Sequence, residues 1–261
     1  MEDKKSNIGI IPDFFFDIIA FIIPGYTILF LIIANFYIMG HPLFEKYDNN
    51  INLLSISVTL LIAYVLGRLF EHLGYLTVHD KYFPFFGKAK KNKPKWDIVF
   101  DEKQPYYSSH FQKNLRIKIE AWLKNQDGKD IMKECKVTKK DDYFNLIQFY
   151  LRERFPNIAL YEKKQNATIV LTRSLFLIFS INIVLYFIFL FGSVDSSNIE
   201  FTLNGFLWIV FHLISASVFY KRYHQDKIYH AMYIFEAFIA TKKLLKKQNI
   251  ETGLPKIIVE T

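Results

Sequence analysis

The sequence predicts an all-α membrane protein: four transmembrane helices, a mainly helical cytoplasmic insertion between the second and third, and a fourth helix that extends into the cytoplasm. Three observations predict it. Four stretches are apolar over about 20 residues, the length a helix needs to cross a ~30 Å hydrocarbon core. Lys and Arg gather in the segments on one side of those stretches. The composition fits the same division: of 261 residues, 51% are hydrophobic and 27 are Phe, only 10 are Gly, and the net charge is +8. Greasy spans and basic aqueous segments together give such a balance.

The first span is Phe14 to Met39, "FFFDIIAFIIPGYTILFLIIANFYIM". Its apolar part is too long for a cleaved signal peptide, and the preceding "MEDKKSNIGIIPD" has no net positive charge. Pro24-Gly25 lies in its middle. Proline removes a backbone hydrogen bond and clashes with the preceding turn, so a kink or gating hinge is expected there. The second span is Leu53 to Leu76. Along it Ser55, Thr59, Ala63, Gly67 and Glu71 recur every four residues. Small residues at that spacing let helices approach closely, because lipid supplies no hydrophobic drive between them. This face can meet another span of the chain, meet the same helix of a neighbouring subunit, or line a narrow pore. The third span is Ala167 to Gly192 and the fourth is Phe201 to Tyr220.

Loop charge orients the spans. Gly40 to Asn52 holds one Lys, and Ser193 to Leu203 holds no Lys or Arg. Val78 to Asn166 holds 20 Lys and Arg against 12 Asp and Glu, and the tail from Lys221 holds 8 against 4. Positive segments stay inside. Both termini and the long insertion are therefore expected in the cytoplasm of a cell whose inner membrane holds the protein. The chain divides into residues 1–78 (two spans), 79–166 (a basic cytoplasmic domain), 167–220 (two spans) and 221–261 (a helical extension and tail).

The insertion opens with "DKYFPFFGKAKKNKPKW", Asp80 to Trp96. Positive-inside charge and an aromatic interfacial belt account for it. Lys88, Lys90, Lys91, Lys93 and Lys95, with Trp96, also suit phosphates and stacked bases, in lipid headgroups, a nucleotide or an oligonucleotide. "WDIVF" reads as a short strand. "SSHFQKNLRIKIEAWLKNQ" reads as a helix capped by Ser108 or Ser109, with Phe111, Leu115, Ile119 and Leu123 on one face and Trp122 beside them. "KDDYFNLIQFYLRERF" reads as a second, capped by Asp141 or Asp142, with a stripe of Tyr143, Leu146, Tyr150 and Leu151, and closed by Pro156. After the fourth span no Gly or Pro interrupts Lys221 to Lys247. One long helix is expected, with Ile228, Met232, Phe235, Ile239 and Leu245 packed on the insertion.

Enzymatic chemistry is not expected. The seven His show no HExxH, and there is no Gly-rich phosphate loop and no GxSxG. His72 and His79, and His224 and His230, read as structural or surface residues. The single Cys135 makes no intrachain disulfide or thiolate cluster. No metal or other cofactor is implied. Ionisable residues in the spans carry more information, because burying them in lipid is costly. Asp17, Arg68, Glu71 and Arg173 all fall toward the cytoplasmic leaflet. They can form a structural ring of ion pairs, Asp17 taking one Arg and Glu71 the other, or a vestibule whose Arg68 and Arg173 attract anions. His212 lies mid-span, as a hydrogen-bonded helix contact or a pH sensor.

The layout resembles that of small four-span bacterial anti-phage membrane proteins. It is similar to the channel-forming effector of the Hailong system and, less closely, to the membrane component of the Kiwa system. The residues carrying the resemblance are "DIIAFIIPGYTILFLI", "LIAYVLGRLFEHLG", the basic insertion and the long last helix. It implies a homo-oligomeric channel, with a tetramer as the first stoichiometry to test. It also implies a partner nucleotidyltransferase whose single-stranded oligonucleotide binds the cytoplasmic region and holds the pore shut. On this expectation Ser55, Thr59, Ala63 and Gly67 line the pore, Arg68 and Arg173 bias it, Pro24 and Gly25 hinge it, and the lysine cluster with Trp96 binds the ligand. The alternative is a non-conducting membrane sensor or scaffold that recruits a cytoplasmic effector.

Overall fold

The computed structural model describes residues 10–38, 53–78, 107–124, 129, 143–192 and 203–251. The lysine cluster Lys88–Lys95, Trp96, the expected strand, Cys135 and both short loops lie outside the described residues. Apart from Tyr107, Ser108 and Phe155, every described residue is helical. The elements are α1 (Ile10–Asp17), a π-helical turn (Ile18–Ile22), α2 (Ile23–Ile38), α3 (Leu53–Val78), α4 (Ser109–Lys124), α5 (Tyr143–Arg154), α6 (Pro156–Gly192) and α7 (Leu203–Glu251).

Among the described residues, three helical segments are long and apolar enough to cross a membrane: Phe14–Ile38, Ser55–Val78 and Pro156–Ile188. Length and composition mark the chain as a membrane protein. The stretch expected as a fourth span forms the first part of α7, which runs unbroken from Leu203 to Glu251.

The first span is not a plain helix kinked at proline. The turn before Pro24 is widened, with the Ile23 N–H bonded to the Ile18 carbonyl. An i→i+5 turn holds one extra residue, and such turns interrupt α-helices beside prolines and functional positions. Pro156 likewise does more than close α5. Phe155 breaks the helix and Pro156 opens α6, the position where its missing N–H costs nothing.

The chain forms two units. One comprises Met1–Asn92 and Lys164–Asp226, the other Lys93–Lys163 and Lys227–Thr261. In the first, α2 and α3 touch backbone to backbone. A Cβ on Gly25 would stand 1.7 Å from the Ala63 carbonyl oxygen, and one on Gly67 would stand 1.8 Å from that of Phe21. No side chain fits at either place. The pairs Phe21/Gly25 and Ala63/Gly67 therefore form one antiparallel contact. Around it Ile28, Leu31, Phe70, Phe176, Ile178 and Tyr220 are buried.

The second unit is packed with rings. Trp122 of α4 meets Tyr150 of α5 and Phe238 of α7 with ring centroids 5.1 Å away from each. Phe144 stands edge-on to Phe235. Leu115, Ile119, Ile147 and Ile234 fill the spaces. Fully burying such a side chain from water is worth about 1.5–3 kcal/mol. Ser108 caps α4, its Oγ accepting the Phe111 N–H at 3.3 Å. The buried face of α7 is Ala231, Ile234, Phe235 and Phe238, rotated from the expected stripe, whose Ile228, Met232 and Ile239 are only partly buried. On α5, Phe144 and Ile147 are buried and Tyr143 only partly.

Candidate functional site

The second span holds most of the residues expected to line a pore, and the structure divides them into two groups. Ala63 and Gly67 are buried against α2 in the contact just described. Ser55 and Thr59 are exposed, and so is every residue from Ser55 to Ile62, around the whole circumference of α3. The Thr59 hydroxyl donates to the Ser55 carbonyl of its own helix at 2.7 Å. Thus residues 55–62 of α3 have no cover among the described residues.

One turn beyond Gly67, Glu71 sits between both arginines. Its carboxylate oxygens lie 3.5 Å from Arg68 and 3.8 Å from Arg173. Arg173 also donates to the Glu71 carbonyl at 3.4 Å and lies over the Tyr75 ring. The Arg173 side chain is 5% exposed, against 53% for Arg68, so the two are not equivalent: one is a buried partner, the other is open to solute or headgroup. The Arg68 guanidinium lies 4.2 Å over the Phe21 ring, which ties it to the α2–α3 contact. Asp17, expected to take one of these arginines, is exposed instead. Gly74 leaves the space that the Arg173 stem fills, with a would-be Cβ 3.3 Å from its Cγ.

Asn35 of α2, Asn182 of α6 and His212 of α7 are all buried. The Trp208 indole N–H donates to Asn35 Oδ1 at 2.8 Å. Asn35 Nδ2 donates to Asn182 Oδ1 at 2.8 Å. Asn182 Nδ2 meets His212 Nε2 at 2.7 Å, and His212 Nδ1 meets the Trp208 carbonyl at 2.8 Å. The sequence reading singled out His212 alone. The signal for its partners was there: Asn35 and Asn182 are the only asparagines of their apolar spans. An open cleft of about 520 Å³ lies alongside, lined by Tyr37, Ile38, Asn204, Leu207, Trp208 and Phe211.

The second unit buries a carboxylate. Glu162 Oε2 accepts from Arg152 Nε at 2.7 Å, while Oε1 accepts from Arg152 Nη2 and Gln148 Nε2. His230 Nε2 is 3.9 Å away. The bond to Glu162 pushes the Arg152 guanidinium up, against a smaller opposing effect of burial. In the same unit, the Tyr107 hydroxyl donates to Glu236 at 2.6 Å. Burial first, and then this bond to a carboxylate, push the Tyr107 hydroxyl well above the usual phenol range. Burial also pushes the Asp226 carboxyl up, opposed by the Arg222 guanidinium at 3.0 Å and by Thr172.

Among the described residues, no three His, Cys, Asp or Glu side chains gather as a metal site would need. Of the histidines singled out in the sequence, His72 is exposed, His224 stands edge-on to Tyr220 and Tyr223, and His230 packs on Phe144. No protein family, curated protein or solved structure matches the chain.

Proposed function

We propose that the chain is the subunit of a regulated, homo-oligomeric ion channel of a bacterial inner membrane. As an anti-phage effector it depolarises the cell, and its basic cytoplasmic segment gates it by binding a nucleotide or single-stranded oligonucleotide, the product of a partner nucleotidyltransferase. Both termini are cytoplasmic and four spans cross the bilayer. The observation that supports a pore best is the exposure of residues 55–62 of α3 among the described residues. Ser55 and Thr59 lie one turn apart on one face of it, and Leu60, Leu61 and Ile62 surround the rest. Neighbouring copies would cover the apolar residues and leave the hydroxyl stripe facing water. Ala63 and Gly67 then act as the intrachain joint that fixes the direction of this helix. Arg68, solvent-facing and one residue past the joint, supplies the anion bias. The ligand assignment rests on Lys88, Lys90, Lys91, Lys93, Lys95 and Trp96 in the sequence.

Full-length protein in liposomes of phosphatidylethanolamine and phosphatidylglycerol tests this. Ion flux is expected, together with its block by a thiol reagent in a Thr59→Cys, Cys135→Ser chain. Protein that inserts but passes no ions removes the channel. In an active bilayer, Arg68→Glu reverses or abolishes anion preference; unchanged selectivity removes its role. Replacing the five lysines by Gln weakens oligonucleotide binding and flattens its salt dependence, since each phosphate contact releases counterions.

A second reading is a non-conducting membrane sensor or scaffold. It is favoured by the use of Ala63, Gly67 and Arg173 within the chain, where they serve packing and pairing. Flux-free liposomes with intact oligonucleotide binding support it.

A further inference from the structure

Of the five polar contacts that join Asn35, Asn182, His212 and Trp208, four close on themselves and the fifth, a longer one from Asn182 Nδ2 to Asn35 Oδ1 at 3.4 Å, lies within the ring; residue 208 supplies both ends, its indole N–H starting the ring and its carbonyl ending it. An indole nitrogen only donates and a carbonyl only accepts. The direction of the ring is therefore fixed. Asn35 accepts from Trp208 and donates to Asn182, and Asn182 donates to His212 Nε2. The imidazole must be neutral, with its hydrogen on Nδ1.

We propose that this ring is a proton-sensitive latch joining α2, α6 and α7, opened by a proton on His212 Nε2. A protonated His212 presents a donor where Asn182 already donates. Turning the Asn182 amide moves the conflict to Asn35, and turning Asn35 moves it to the indole. With donors at both ends and two amides between, one joint always fails. An unmade hydrogen bond among buried groups is costly, so the contact between the helices loosens. The groups that His212 touches are Asn182, Trp208 and the rings of Phe179 and Phe211. None is titratable. The nearest titratable groups along the partner helices are Tyr37, two residues past Asn35, and Tyr186, one turn past Asn182. The open cleft meets the ring at Trp208, which lines it. The latch stands whether or not the protein conducts ions.

Solid-state NMR of the full chain in bilayers tests it. With carbonyl-13C tryptophan and ring-15N histidine, the 2.8 Å contact singles out His212 by dipolar coupling. The expected result at about pH 7.5 is the Nδ1–H tautomer, with loss of the coupling once acid protonates the ring. Spin labels at exposed Tyr37 and Leu207, in a Cys135→Ser chain, should then move apart. Trp208→Phe removes the fixed donor, lets both amides turn, and should abolish that movement. An Nε2–H tautomer, a His212 still neutral at about pH 4.5, or protonation with unmoved labels each overturns the latch.

Discussion

In the first unit the buried amides of Asn35 and Asn182 carry no charge and bond to each other, to His212 and to Trp208. In the second unit the buried carboxylate of Glu162 is charged, and Arg152 reaches it with a side chain half in solvent. The apolar contacts differ in the same sense. Helices α2 and α3 meet at glycine and alanine, whereas α4, α5 and α7 meet through Trp122, Tyr150, Phe144 and Phe238. Water and hydrocarbon favour these kinds of contact differently. Water drives large apolar side chains together and can hydrate one end of an ion pair. Hydrocarbon does neither, so close backbone approach and matched polar partners carry more weight there; the first unit also keeps a buried charge, Arg173, on Glu71.

That comparison can be broken by mutation. The largest effect is expected for Trp122→Ala, about 3–5 kcal/mol from transfer and cavity together. Hydrogen exchange should show protection lost in α4 and α5 and kept at Gly25 and Ala63; equal loss in both units would deny them separate cores. Next is Arg152→Ala, about 3 kcal/mol, because Glu162 stays buried without its main partner. A Lys at the same position should recover only part of it, lacking the planar fork whose two nitrogens reach both Glu162 oxygens. Denaturation of the purified chain in detergent or nanodiscs reads both. Gly67→Ala should cost about 1–3 kcal/mol, since the new methyl meets backbone that has nowhere to go. A neutral Gly67→Ala would mean that α2 and α3 do not touch as described.

The smallest effect is alkaline. The Tyr107 hydroxyl is held protonated in the folded chain beyond its ordinary value near 10. Below that value folded and unfolded chains hold the same proton, and no pH dependence arises. Above it the unfolded chain loses the proton first, so stability falls as pH rises. Tyr107→Phe should flatten that limb, measured by thermal unfolding between about pH 9 and 11; an unchanged limb removes the contribution.

Periodicity made most helices legible. The Ser108 cap, the α4 stripe around Leu115 and Ile119, and the unbroken α7 follow from spacing and from the absence of Gly and Pro. The start of α6 at Pro156 did not, because "YEKKQN" has no apolar period and is helical by continuation from both sides. The α7 stripe was misplaced because Ala231 and His230, weakly apolar by type, are buried by their neighbours. At the candidate site, small-residue spacing marked Ala63 and Gly67 but not their partners. Gly25 was noticed for Pro24, not for the space it leaves. The ion set was half legible: Arg68, Glu71 and Arg173 were named, yet the sharing of Glu71 depends on the angle between α3 and α6, which no local pattern encodes.

The π-helical turn at Ile18–Ile22 has a further consequence. Its surplus residue advances the phase of everything before it by about 100° of azimuth relative to an uninterrupted α-helix. Deleting one residue there would let the winding close to regular α geometry with Phe14–Asp17 still facing as they do, while Gly25 kept its seat on Ala63. Tightening the turn without that deletion would instead swing the entrance of the first span around the axis.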